Sequence, residues 1–415
     1  MISDIVERAN ARSRGAASTY RHGTHRSVAP RETVERVAPE LARFGVTRVS
    51  EITGLDFIGI PVFAAMRPAS LSLCVNQGKG LTREEARASA AMEALEYACA
   101  ERITDGRMLA SREALAPRQF VLPRRSLRRA LRKGAVIPWV CGRHMTSGRE
   151  VLVPEELVRL DFSRQAPEHY GVFRPTSNGL AAGNTRAEAE LHALCELIER
   201  DAFSLWLQAP AEHQAARRVD PERVGDPRIV ALLQLYRETS IAVELWDTTS
   251  DVGVPSFFCL IDDRGARPPR LGRSGGNGCH PCAVIALCRA LCEAAQSRLT
   301  LIAGARDDIA PEHYATVGWS GNLAVELLGA QPRPRSRAAR ELPVSMATDE
   351  IGHDVEAVLG RLADRGIEEV IAVDLSAPAL DVAVTRVIAP GLEGMRHKEG
   401  YRPGRRAREA AREWS

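Results

Sequence analysis

One segment restricts this chain more than any other. The stretch Ser177-Asn178-Gly179-Leu180-Ala181-Ala182-Gly183-Asn184-Thr185 is small and Gly-rich, and it runs into a sequence that is apolar around most of a helical circumference, ending at Glu199-Arg200. On that helix Glu188, His192, Glu196 and Glu199 fall within an arc of about 80° at 100° per residue. Three carboxylates on one stripe repel one another unless a cation lies over them. Mg²⁺ suits the position, because it is commonly held by a few carboxylates together with substrate phosphates. The first expectation is a nucleotide site that does not use a P-loop.

Composition bounds what surrounds such a site. At 415 residues and 45% hydrophobic residues the chain can bury a large core and divide into two or three structural units. A formal charge of +3 gives no strong pull toward nucleic acid or an anionic membrane. The only lysines are Lys79, Lys133 and Lys398, which makes Lys79, set between glycines, conspicuous. No apolar stretch follows a basic N-terminal segment and no uncharged run reaches the length of a membrane span. Nine cysteines spread through apolar segments read as reduced thiols. These features together predict a cytoplasmic protein.

The pattern predicts four parts: residues 1–110 with a first site helix, an insertion or bridging region over 111–170, a main part over 171–405 with two more site helices, and a polar tail over 406–415. A helix is expected from Pro30 to about Phe44, with strands at Val46–Ser50, Gly59–Met66 and Leu71–Val75. Gln77-Gly78-Lys79-Gly80 reads as a tight loop before a capping box, Thr82-Arg83-Glu84-Glu85. A third Gly-rich loop is expected at Gly272–Gly278, with Pro281 near the start of a helix running to about Ile302. Three times, then, a Gly-containing stretch leads into an Ala/Leu-rich helix with acidic or amide groups at i, i+3: Glu93/Glu96, Glu196/Glu199 and Glu293/Gln296. The echo suggests three helices converging on one polar centre.

Each group has a plainer reading. A single Glu-x-x-Glu is more often a solvated edge than a metal site; the triplication is what favours the site. Ser89 shares the face of Glu93 and Glu96. Glu188 fits a capping box with Thr185, and Asn184 fits either a turn or a phosphate or metal contact. Arg289, Glu293 and Gln296 share a face, while Arg298 points about 140° from Glu293 at helical spacing and is either a charge-neutralising group beside phosphates or half of a structural ion pair. Lys79 is either part of a phosphate cradle or a solvent lysine. Cys279-His280-Pro281-Cys282 lacks a second cysteine pair for zinc and reads as two incidental thiols. The basic segment 118–133 lacks the interleaved aromatics of a nucleic-acid platform.

In three blocks the chain resembles the YcaO family: Gln77-Gly78-Lys79-Gly80 with Ser89, Glu93 and Glu96; Ser177-Asn178-Gly179 with Gly183-Asn184, Glu196, Glu199 and Arg200; and Gly278-Cys279-His280-Pro281 with Arg289, Glu293, Gln296 and Arg298. The resemblance implies an α+β fold, a YcaO-like mix of sheets and long helices converging on a non-P-loop site for ATP and Mg²⁺. The implied reaction modifies a peptide backbone amide: a nucleophile adds to the carbonyl, ATP phosphorylates the oxyanion, and phosphate leaves.

By this likeness Glu93, Glu96, Glu188, Glu196, Glu199 and Glu293 hold Mg²⁺ or nucleotide. Lys79, Ser89, Asn184, Arg200 and Gln296 contact nucleotide or phosphates, and Glu93, Glu196, Glu199 and Arg298 carry catalysis. The first helix departs from the family pattern at Tyr97, where arginine commonly follows the second glutamate.

Tyr20-Arg21-His22-Gly23-Thr24-His25-Arg26, the stretch Gly54–Val62, and Pro390-Gly391-Leu392-Glu393-Gly394 with Tyr401-Arg402-Pro403-Gly404 are similar to the branch that works with TfuA-like partner proteins. That likeness implies thioamide formation on a ribosomally made precursor peptide, with a sulfur donor and the TfuA-like protein as partners, and it allows a homodimer. The alternatives are azoline formation from Cys, Ser or Thr, and a non-catalytic nucleotide-binding accessory protein.

Overall fold

The computed structural model describes residues 23–103, 107–117, 119–123, 126–163, 171–173, 175–263, 271–309, 341–394 and 401–413. Of the sequence readings above, Tyr20, Arg21, His22, Arg118, Arg124 and Arg125 lie outside the described residues.

Three antiparallel sheets organise the chain, and each ends in an edge strand that feeds a site helix. The first holds β1 (Arg48–Glu51), β2 (Val62–Met66) and β3 (Val75–Lys79), and β3 leads into α2 (Arg83–Glu101). The second runs β4 (Met108–Ser111), β5 (Val136–His144), β12 (Ile371–Asp374), β13 (Ala383–Ile388), β7 (Leu180–Gly183), with β6 (Glu150–Pro154) paired to β5. Its edge strand β7 leads into α3 (Arg186–Trp206). The third runs β11 (Arg273–Cys279), β10 (Ser256–Asp262), β9 (Ala242–Asp247), β8 (Arg218–Val219), and β11 leads into α6 (Ala283–Ala303). Among the described residues the remaining helices are α1 (Pro30–Val37), α4 (Ala211–Ala216), α5 (Pro227–Glu238), α7 (Ile351–Ala363) and α8 (Arg405–Glu413).

The three stretches read as Gly-rich loops are largely strands. Their glycines serve close packing of the returning helix. A Cβ on Gly78 would lie 2.0 Å from the backbone nitrogen of Ala90 in α2, and one on Gly276 would lie 2.2 Å from that of Ala294 in α6. No side chain fits there, so each helix sits directly on the strand that precedes it. Each helix also touches the next unit's strand: α2 meets β7, α3 meets β11 and α6 meets β3, so the three units close into a ring.

Local sequence starts the helices where they start. Thr82 and Thr185 accept the N3 backbone N–H of α2 and α3, Asp226 with Pro227 opens α5, and Gly304 ends α6 at φ +58°. The apolar faces are buried outward from the ring. Leu191, Leu194 and Ile198 of α3 pack on Val355, Val358 and Leu362 of α7. Ile229, Leu232 and Tyr236 of α5 pack on Leu287 and Leu291 of α6.

Three expectations are corrected. The first helix stops at Val37 and continues as turns to Gly45 rather than as helix to Phe44. The strand expected at Leu71–Val75 begins only at Val75 and runs through the expected loop to Lys79. The polar tail is helix α8, held because Arg406 is buried against Asp201 at 2.9 Å and also meets Asp251 at 2.5 Å. Glu393 completes that clamp by accepting from the Tyr401 hydroxyl and from the Gly404 and Ala407 N–H groups. Residues of the expected bridging region supply β5 and β6 to a sheet that continues through β12 and β13 to β7. Among the described residues no helix is long and apolar enough to cross a membrane.

Candidate active site

The ring encloses a cavity of about 510 Å³ lined by all three site helices. Side chains at matching offsets from the N-caps Thr82, Thr185 and Cys282 face it: Ser89, His192 and Arg289 nearer the N-termini, then Glu93, Glu196 and Glu293, then Glu96, Glu199 and Gln296. All nine of these polar positions were read from the sequence as site groups or as sharing their stripe; their meeting in one volume is set by the ring.

Hydrogen bonds fix the acidic end. Glu293 accepts from the Asn277 N–H at 3.1 Å and from the Lys79 ammonium at 2.6 Å. Gln296 accepts from Lys79 at 3.0 Å and donates to the Gln77 carbonyl at 2.9 Å. Glu96 accepts from the Ala182 N–H at 3.0 Å and Glu196 from the Gly179 N–H at 2.9 Å. Arg200 bridges Glu196 and Asn178.

Electrostatics show a crowd of carboxylates held together by the fold. Burial, and then the neighbouring Glu93 and Glu196, push Glu96 well above the usual carboxyl range. Burial, and then Glu293, push Glu199 up to about 8. Glu93 is raised by burial, with Lys79 and Arg306 opposing. Burial works against the Lys79 charge, but Glu293, Glu199 and Glu93 outweigh it and raise its pKa. At the other end, burial and then Arg289, Arg26 and Lys79 hold His192 well below its ordinary value, so it stays neutral.

These residues fit Mg²⁺ and a polyphosphate. The donors are hard oxygens, which suit Mg²⁺ rather than softer metals, and the raised Glu93, Glu96 and Glu199 mark negative charge that a cation would relieve. Glu93, Glu96, Glu196, Glu199 and Glu293 are the candidates to hold it. Among the described residues no three ligands stand preassembled at metal spacing, consistent with an ion that completes its shell with phosphate oxygens and water. Lys79, Arg26, Arg200, Arg289 and Arg306 line the same volume and can meet phosphates.

Two expected site residues are reassigned. Arg298 is not part of the cavity lining. It is buried against Asp56 at 2.9 Å and Asp263 at 2.5 Å, with its guanidinium 5.2 Å from the Phe57 ring centre. Its charge is consumed in a structural cluster, because its direction on α6 turns it away from Glu293. Glu188 lines the cavity, but one oxygen accepts from the Ser27 N–H and the other from the Asn184 N–H and amide at 2.9 and 3.0 Å. It takes the N–H of Asn184 rather than that of the N-cap Thr185, so the expected capping box is only half formed, and it pins the N-terminal segment; burial notwithstanding, Arg26 and Ser27 hold it ionised below its usual value. Asn184, whose amide oxygen accepts from the Thr33 hydroxyl at 2.8 Å, belongs to the same brace while still facing the cavity.

Cys279 lies in the cavity wall and Cys282 caps α6. The thiol that Cys279 meets is Cys195, whose pKa it lowers by hydrogen bonding. Sequence reasoning gave no site role to Arg306 or Arg386. Arg306 follows directly on the third helix, a position that could have flagged it. Arg386 sits in Val384-Thr385-Arg386-Val387, where a lone charge in a β-branched run is itself the signal.

A profile of the family described as YcaO cyclodehydratase, ATP- and Mg²⁺-binding, matches residues 77–393. A protein of the tfuA 3′ region of Rhizobium leguminosarum bv. trifolii is 39% identical over 394 residues, covering 92% of this chain and 91% of that one. A protein of Methanothermobacter thermautotrophicus is 35% identical over 376 residues, covering 88% and 94%. The structure of YcaO from Methanopyrus kandleri bound with AMPPCP and Mg²⁺ superposes with a TM-score of 0.70 at 26% identity, covering 91% of this chain and 95% of that chain. A heterocyclase in complex with substrate and cofactor shares the fold at a TM-score of 0.74 and 22% identity, with this chain spanning 54% of its length. This chain belongs to the YcaO family.

Proposed function

We propose that this protein is an ATP- and Mg²⁺-dependent synthetase that converts a backbone amide of a ribosomally made precursor peptide into a thioamide, with a TfuA-like protein as partner and a sulfide source as sulfur donor. One observation carries the sulfur chemistry: the 39% identity, over nearly the whole chain, to a protein named for its place in a tfuA region. The nucleotide part rests on Glu93, Glu96, Glu196, Glu199 and Glu293 in the cavity wall and on the family's ATP and Mg²⁺ description.

An amide oxygen is a poor leaving group. When bound, ATP with Mg²⁺ supplies the phosphoryl group that makes it a good one. The residues of this chain bind and orient. Glu93, Glu96, Glu196, Glu199 and Glu293 would hold the ion; Lys79, fixed between Glu293 and Gln296, and Arg289 would meet phosphates; Ser89 would position the nucleotide. The half-open cavity would hold the peptide carbonyl beside the nucleotide, which favours in-line attack at the carbonyl carbon.

Azoline formation is the second reading, favoured by the cyclodehydratase description of the family. The two separate by mass. With the peptide, the TfuA-like partner, ATP, Mg²⁺ and sulfide, thioamidation adds about 16 Da and cyclodehydration removes about 18 Da, as the exchange or loss of oxygen in the phosphoryl-transfer scheme requires. A loss of water would overturn the thioamide reading. ATP binding without any peptide-dependent ADP release would point to the accessory protein instead.

A further inference from the structure

Arg386 is a buried guanidinium with two of its three nitrogens unspent. It lies on β13, paired in register with Leu180 of β7 and with Val373 of β12, and it is 2% exposed. Its Nη2 donates to the Thr176 carbonyl at 2.6 Å. Its Nε and Nη1 are buried and donate to no group among the described residues. Leaving such donors unmet is costly, more so when they carry charge. The charged and polar groups whose fields it feels are Glu196, Arg200, Tyr97 and Glu96, all of them cavity-lining.

The Thr176 contact has a specific consequence. The Thr176 hydroxyl donates to Asn178 Oδ1 at 2.8 Å, Asn178 also accepts from Arg200, and the adjacent Gly179 N–H donates to Glu196. Arg386 therefore braces the turn that holds both members of the Glu196–Arg200 pair. Glu196 at present gives one oxygen to Arg200 and the other to Gly179. When Arg200 turns toward phosphate, one oxygen of Glu196 loses its cationic partner. Arg386, whose Nε and Nη1 are unmet, is close enough to feel the charges of Glu196 and Glu96.

We propose that Arg386 is the positioning residue of the Mg²⁺ site: it anchors the 176–179 turn and, with Nε and Nη1, takes over the Glu196 carboxylate, or that of neighbouring Glu96, once nucleotide draws Arg200 away. The inference rests on the nucleotide and Mg²⁺ part of the proposed function and not on thioamide formation.

The test is calorimetry of AMPPCP binding to the full chain, with Mg²⁺ and with EDTA, for the wild type and for Arg386→Met and Arg386→Lys. A residue that acts on a metal through its ligands is expected to alter metal-dependent affinity by about 10–100-fold. Arg386→Met should show that loss with Mg²⁺ while binding in EDTA stays within about twofold, and Arg386→Lys should recover part of it. Unchanged Mg²⁺-dependent binding would overturn the assignment. So would an equal loss with and without metal, which marks a collapsed turn. If Arg386→Met does not fold, the same two comparisons on Arg386→Lys decide. No peptide enters the measurement, so its failure is distinct from failure of the thioamide reading.

Discussion

The Lys79 ammonium stands 2.6 Å from the Glu293 carboxylate, joining the last residue of β3 to α6 across 214 positions of sequence. The contact closes the ring of three units on its third side and puts the only described cavity lysine among carboxylates. Replacing it by methionine removes both a partner for Glu293 and a phosphate contact. Lys79→Met is expected to weaken ATP use by roughly tenfold or more, the scale of a lost charge-assisted bond. Steady-state ADP release against ATP concentration checks it; an unchanged ATP dependence would return Lys79 to a purely structural part.

Glu196→Ala and Glu199→Ala should each abolish turnover with the fold kept, since each removes an oxygen donor from the cavity without emptying the apolar core behind it. The expected loss is on the order of 100-fold or more in ATP turnover, read beside a circular dichroism spectrum that matches the wild type. Activity surviving in both variants would count against the metal assignment.

The carboxylates also predict a pH dependence. Glu199 is pushed up to about 8, and Glu96 and Glu93 are raised as well, each by burial first. A group raised in the folded state stabilises it below the unfolded value and loses that contribution as pH rises through the folded value. The unliganded protein should therefore lose stability between about pH 5 and pH 8 from these groups. Mg²⁺ must displace their protons, so the rise in Tm on adding Mg²⁺ with AMPPCP should grow over the same interval. Scanning fluorimetry across pH measures both, and a flat ligand-induced shift would contradict the coupling.

Arg298→Met leaves Asp56 and Asp263 buried beside a neutral side chain. Breaking one side of a buried ion cluster costs about 3–5 kcal/mol, so urea unfolding should show a loss of that order, while Mg²⁺·AMPPCP affinity of the folded fraction is kept. Wild-type stability with lost nucleotide affinity would restore Arg298 to the phosphates.

Gly276→Ala forces a methyl to within 2.2 Å of helix backbone at Ala294. Rigid backbone cannot yield as a side-chain tip can, so a cost of about 1–3 kcal/mol is expected in urea unfolding, with weaker nucleotide binding because Glu293 is displaced from the Asn277 N–H. Wild-type values for both would show that strand and helix are not in intimate contact.

The periodic spacing of Glu93/Glu96, Glu196/Glu199 and Glu293/Gln296 made the three stripes legible, because side-chain direction on a helix follows from sequence offset alone. Thr82 and Thr185 likewise marked helix starts through bonds made within a few residues. The same local logic misjudged the glycine runs. Flexible composition suggests a loop, yet Gly78 and Gly276 are small because a helix from further along the chain lies on them. It also left Glu188 and Arg298 with two readings each. What settled them was the position of Ser27, Asp56 and Asp263, none of which is near in sequence.

The sequence by itself thus made legible the three site helices, the acidic edge of each, and the mutual repulsion of those charges, since all three follow from interactions within a few turns. Only the tertiary structure decided that β3, β7 and β11 place the three edges around one volume, that Arg298 pairs with Asp56 and Asp263, that Glu188 pins Ser27, and that Nε and Nη1 of Arg386 are buried without a partner among the described residues. Those outcomes depend on contacts between residues far apart in the chain, whose pairing is fixed by how sheets and helices fill space together.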